Sequence, residues 1–294
     1  MLYYLLLLLA GALQGVMVSL NGQLGNYYSP FAICFFVHGI ALILLLAYLL
    51  AKKTPLGFKG APWYVYLVGA LGIAIVASTS WCTLRVGASV FLAISTAGQI
   101  ISSQLIDQFG FFGMPVQKFN PKQIPGYVLL AAGVALVVTG RGGVRMFLYY
   151  LTSFVNGFMN SVNKMTNVKA GQCFGAAKGS LINYLEATFL SLALVFMTSD
   201  PSELAPSHVF SVPAWAYLGA ICGLVAMVLI IVGTLHTHVL VSSIVALVGN
   251  LGMALVLDYV FYGLFSWQRV IGILLILLGI TWIEKMKTAG KAAD

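Results

Sequence analysis

Charged side chains are what this sequence has least of. Asp, Glu, Lys and Arg make up 7% of its 294 residues, while 61% are hydrophobic. A soluble domain carries about 25% charged residues and needs them to stay dissolved. The shortage excludes water as the solvent for most of the surface. A membrane-crossing helix takes about 20 mainly apolar residues, so the chain has room for on the order of ten spans and little else.

Other absences narrow the function. Only seven residues are acidic against fifteen Lys and Arg, a net charge of +8. The basic residues stand singly between apolar segments and form no patch or arm, which excludes a nucleic-acid partner and makes them topology signals. Metal-ligand spacing is missing: Cys34, Cys82, Cys173 and Cys222 lie in or beside apolar segments, as small buried thiols do. His236 and His238 share a short turn without the further ligands a metal needs. Gly140, Gly142 and Gly143 lack the lysine and spacing of a phosphate cradle, so neither a cofactor nor nucleotide hydrolysis is expected. The first apolar stretch, Leu2 to Leu9, lacks the basic leader of a signal peptide and reads as the first span.

Apolar runs punctuated by Gly, Pro, Asn or charge place spans at 2–22, 30–51, 62–83, 88–110, 124–140, 146–166, 178–199, 213–235, 238–262 and 268–285. Aromatics such as Trp63, Tyr149, Trp215 and Trp267 mark their ends. With a cytoplasmic N-terminus, all eleven lysines fall inside, among them Lys52, Lys59, Lys169, Lys285 and Lys164 at an inner helix end. Arg85, Arg141, Arg145 and Arg269 fall outside with Asp200 and Glu203, a bias of 11 to 4 that obeys the positive-inside rule.

The chain also repeats itself. GVMVSLN, from Gly15 to Asn21, matches GFMNSVN, from Gly157 to Asn163. GQIISSQLIDQFGFFG from Gly98 answers GNLGMALVLDYVFYG from Gly249, with Asp107 opposite Asp258. Phe119, Gly126 and Gly133 fall opposite Phe265, Gly272 and Gly279, and His38 opposite Glu186. These matches predict two five-helix units, residues 1–142 and 143–294. An odd number of spans per unit inverts the second copy, and inverted repeats supply two states of similar energy around a central site. The expected fold is therefore all-α integral membrane, with about ten transmembrane helices in two inverted repeats.

Three segments carry a family likeness: LQGVMVSLNGQLG near the start, GQ followed by LIDQFGFFG, and IPGYVLLAAGVALVV. They resemble the YdcZ-like branch of the drug/metabolite transporter superfamily, here in a fused double-length form covering essentially the whole chain. The resemblance implies ten helices, both termini cytoplasmic, and movement of a small metabolite without nucleotide hydrolysis. In the second copy GQ becomes Gly249-Asn250, and about six extra residues, including Lys169, are expected in the loop before the seventh span.

Polar side chains in hydrocarbon face protein or a wet cavity. Ser153, Asn156, Asn160, Asn163 and Asn167 follow one another at steps of three and four on the sixth span. Gln14 and Asn21 mark the first span, Gln99 the fourth and Asn250 the ninth. Gln14, Asn21, Gln99, Asn156, Asn160, Asn163 and Asn250 are the candidate substrate ligands; the bland alternative is that they join helices. Glu186, His38, Asp107 and Asp258 are the candidate coupling residues, with helix capping the alternative for the two aspartates. A secondary-active carrier of a small metabolite or drug-like solute is expected in a bacterial inner membrane, surrounded by lipid, with proton coupling and a homodimer both compatible. Its rivals are a channel, a non-transporting scaffold and an intramembrane enzyme; the last lacks a His, Cys or carboxylate constellation, so no catalysis is expected.

Overall fold

The computed structural model describes residues 1–55, 57–58, 60–111, 116–138, 143–237, 239–263 and 265–291. Lys59, Gly140, Arg141, Gly142 and His238, all used above, lie outside them, and so does the expected join between the units.

Among the described residues eleven α-helices follow in order: α1 (Leu2–Leu24), α2 (Pro30–Ala51), α3 (Val68–Val86), α4 (Ala88–Phe109), α5 (Ile124–Val138), α6 (Val144–Phe174), α7 (Ala176–Thr198), the short α8 (Pro206–Ser211), α9 (Leu218–Leu235), α10 (Val239–Tyr262) and α11 (Trp267–Lys291). Among the described residues eight helical segments are long and apolar enough to cross a membrane. Of the two remaining long helices, α6 carries the asparagine stripe and α11 ends in Glu284, Lys285 and Lys287. Large apolar side chains such as Ile43, Phe189 and Val260 stand exposed on the outer surface, where lipid would cover them.

Local chemistry sets the helix ends. Ser29 caps α2, its hydroxyl accepting from Ala32 N at 3.4 Å, and Pro30 presets the first turn. Glu203, in the segment before α8, accepts from Ser29 N at 2.9 Å and ties that segment to α2. Both copies enter their third span through a 3-10 turn, Trp63–Leu67 before α3 and Ala214–Tyr217 before α9. The extra residues expected as a loop before α7 instead lengthen α6 to Phe174. Gly175, at φ +83°, then turns the chain straight into α7.

The repeat is visible in how helices touch. A Cβ on Gly126 would lie 2.7 Å from Gly279 O and one on Gly133 2.5 Å from Gly272 O, and the reverse approaches are as close, so α5 and α11 meet as related partners. Two further pairs correspond. A Cβ on Gly157 of α6 would lie 1.8 Å from Ser95 O of α4, and one on Gly11 of α1 would lie 1.8 Å from Ala246 O of α10. Gly98 faces Phe154 O as Gly249 faces Leu8 O. These contacts equate Gly11, not Gly15, with Gly157, and Gln14 with Asn160. The motif match from Gly15 is therefore one helical turn out of register: a slip of four residues keeps the same helix face, so the motif alone cannot tell the two registers apart.

Tyr3 of α1 stacks on His236 at the end of α9, and Asp107 near the end of α4 pairs with Lys287 near the end of α11. Those ends define the terminal end of the bundle, where α1 begins and α11 finishes. The opposite end is the far end.

Candidate solute site

Helices α1, α4, α6, α9, α10 and α11 enclose a cavity of about 610 Å3. It reaches Thr234 in the last turn of α9 and Ser242 near the start of α10, so it lies toward the termini. Leu92, one turn into α4, bounds it on the far side. Beyond that, Val86, Ala88, Leu251 and Ala254 belong to a continuous buried core.

Four predicted ligands line this space: Gln14, Gln99, Asn160 and Asn250. In the register fixed by the helix contacts they form two related pairs, Gln14 with Asn160 and Gln99 with Asn250. Each amide can donate and accept. The Asn250 Oδ1 is buried with no hydrogen-bond partner among the described residues. Met17, Met227 and Leu247 supply apolar wall beside the amides, the mixture typical of small-molecule pockets.

The other three predicted ligands are elsewhere. Asn156 is fully buried; its Nδ2 donates to Ile75 O (2.8 Å), Ser78 Oγ (2.7 Å) and Thr79 Oγ1 (3.2 Å), while its Oδ1 accepts from Ser95 Oγ (3.2 Å). It knots α6 to α3 and α4. Asn163 accepts from Asn167 Nδ2 at 3.1 Å, and Asn167 Oδ1 accepts from Asn183 Nδ2 at 3.1 Å, a chain leading to α7. Asn21 is 2% exposed and its Oδ1 packs against Gly219 of α9. The asparagine stripe thus splits: one face of α6 serves three neighbours, and only Asn160 reaches the cavity.

None of the four coupling candidates lines the cavity. Glu186 accepts from Gly69 N at 2.8 Å and Ala70 N at 3.3 Å, capping the first turn of α3. Asp258, 0% exposed, caps the first turn of α4: it accepts from Ala88 N (2.7 Å), Ser89 N (3.0 Å) and the Ser89 hydroxyl, with Arg269 at 3.8 Å. Negative charge at a helix N-terminus is favourable, and Gly87, at φ +92°, leaves room for the carboxylate. Asp107 pairs with Lys287. His38 is buried, its Nδ1 against Cys34 O at 2.8 Å and its Nε2 toward Gly72 of α3.

Two charged residues do face the cavity, Lys164 and Glu284. Sequence reasoning missed both. Lys164 read as an inner-end topology signal, yet α6 runs on for about 15 Å beyond it. Its place four residues after Asn160 was the available signal. Glu284 was hidden by the neighbouring lysines of α11.

The comparisons with known proteins agree with this architecture. A family model described as "Putative inner membrane exporter, YdcZ" matches twice, over residues 2–136 and 148–282. No curated protein matches the chain. A solved crystal structure of a protein 16% identical in sequence covers 96% of this chain and 98% of its own with a TM-score of 0.62, a likeness of fold alone. The two family matches fall on the two copies that the glycine contacts pair, and the molecule is an integral inner-membrane transporter protein built of two inverted five-helix repeats: the chain belongs to the YdcZ family of the drug/metabolite transporter superfamily.

Proposed function

We propose that this protein is a secondary-active carrier that moves a small solute across the inner membrane by alternating access, with the amide-lined cavity as the solute's site. One observation carries the reading: corresponding residues of both inverted copies, Gln14 with Asn160 and Gln99 with Asn250, converge on one cavity. A site shared by two inverted copies can be served from either face when the copies exchange conformations.

The lysine bias sets both termini in the cytoplasm, so the cavity faces that side. The family's description supports export as the direction, with the solute entering from the cytoplasm. Opening the far end requires α10 and α4 to part where Asp258 now joins them. Proton coupling falls to Glu186, whose carboxylate rests on the first turn of α3 and whose Gln variant is expected to lose pH-driven flux while staying folded. Saturable counterflow in proteoliposomes tests the carrier reading. Flux that rises linearly with concentration and shows no counterflow contradicts it and favours a channel.

A further inference from the structure

The cavity is nearly symmetric in its amides but not in its charge. Val18 of α1 corresponds to Lys164 of α6, and both line the wall. One copy offers a methyl-bearing surface where the other offers an ammonium. An ammonium at that depth is costly to insert unless it faces protein or water. Here it is exposed into the cavity, and its Nζ donates to Gln99 Oε1 at 3.0 Å. A neutral amide oxygen leaves the positive charge uncompensated. The two ion pairs found among the described residues, Asp258 with Arg269 and Asp107 with Lys287, do not include it. The carboxylates named as coupling candidates, Glu186, Asp258 and Asp107, are occupied by backbone N–H groups or by Lys287, away from this space.

We infer that Lys164 is the anion subsite of the cavity and that the cargo is a small amphipathic monocarboxylate: its carboxylate takes the ammonium now held by Gln99, and its apolar body lies along Met17, Met227 and Leu247. The inference rests on the carrier reading for its meaning as cargo, though the subsite stands on geometry alone. Charge-assisted hydrogen bonds are about twice as strong as neutral ones, which gives the lysine preference over the surrounding amides. Glu284 on the same wall restricts the charge. A second negative group on the cargo would meet it unpaired, so dianions are disfavoured.

The test is ligand-induced thermal stabilisation of the purified full chain, because a ligand that binds only the folded state raises its Tm by mass action. The probes are phenylacetate, indole-3-acetate and hexanoate, each beside its neutral amide, with phenylmalonate as the dianion. The expected result is a Tm rise with the monocarboxylates and little with the amides or phenylmalonate. Lys164→Gln should weaken carboxylate binding about tenfold or more, and Lys164→Arg should retain it. Absence of any carboxylate shift, equal shifts from acids and amides, or an undiminished carboxylate shift in Lys164→Gln overturns the inference. Counterflow separates this result from the carrier reading. Saturable exchange of a neutral or cationic solute together with failed carboxylate binding leaves the carrier standing and removes the anion subsite; Lys164-dependent carboxylate binding without counterflow does the reverse.

Discussion

At corresponding places in the two copies, Ser161 of α6 and Gly15 of α1 approach the same kind of partner, the carbonyls of Gln99 and Asn250. Ser161 Oγ donates to Gln99 O at 3.0 Å; Gly15 only comes close, a Cβ there falling 2.6 Å from Asn250 O. The difference extends along both interfaces. Between α6 and α4, Ser102 Oγ donates to Phe158 O at 3.2 Å, Ser103 meets Ser161 at 3.2 Å, and Ser95 bonds Asn156. Between α1 and α10 the contact is made by Gly11, Gly15 and Gly249 against bare backbone. One geometry is thus held by directed bonds in one copy and by removed side chains in the other. Interhelical hydrogen bonds in membranes average about 0.6 kcal/mol each, so the serine-rich pair gains specificity more than strength. The two copies also differ where Lys164 answers Val18. Duplication supplies the frame, and divergence at a few positions supplies chemistry that a symmetric site would lack.

Breaking the far-end contact should have the largest effect, because it joins parts of both copies at once. Asp258→Ala strands the Ala88 and Ser89 N–H groups in a dry environment, and each buried donor left unpaired costs about 1–3 kcal/mol. The expected outcome is a large fall in the detergent-solubilised Tm, with Asp258→Asn intermediate. A Tm within a degree of wild type in Asp258→Ala would mean that the cap contributes nothing.

A middle effect probes the matched glycines. Gly11→Ala and Gly157→Ala each place a Cβ 1.8 Å from a carbonyl oxygen, and overpacking typically costs about 1–3 kcal/mol. Equal losses of Tm are expected in the two variants. A loss in Gly157→Ala alone would break the correspondence between the copies. The smallest stability effect is expected at Asn160, which makes one weak contact, to Asn156 Oδ1 at 3.5 Å. Asn156→Leu should destabilise by about 1–3 kcal/mol through the groups it leaves unpaired. Asn160→Leu should barely move the Tm while impairing transport per folded molecule.

Much of the fold was legible from the residues. Low charge and apolar run length placed the spans, and the order of the repeated motifs gave the inverted duplication, because both properties are local. The repeat register on α1 and α6 was not: Gly11 and Gly15 sit one turn apart on the same face, and only contact with Ala246 or Asn250 decides between them. The C-terminal part of α6, VKAGQCF, has the composition of a loop but is carried as helix until Gly175. At the site, four of seven candidate ligands line the cavity. Asn156 failed because nothing in a stripe tells which neighbour each residue faces. The role of Asp258 depends on Ala88 and Ser89, far away in the chain, so no local pattern announces it. Lys164 was not singled out because the positive-inside rule accounts for every lysine in advance, including one that lines the cavity.

The split of the asparagine stripe is the most direct point of attack. Single cysteines at positions 156 and 160, in a protein lacking its four native cysteines, would be exposed to a membrane-impermeant thiol reagent in membranes open at the cytoplasmic face. Rapid labelling of Asn160→Cys and none of folded Asn156→Cys is the expected result. Equal labelling of both, or protection of Asn160→Cys, would contradict a cavity walled by the amides of the two copies.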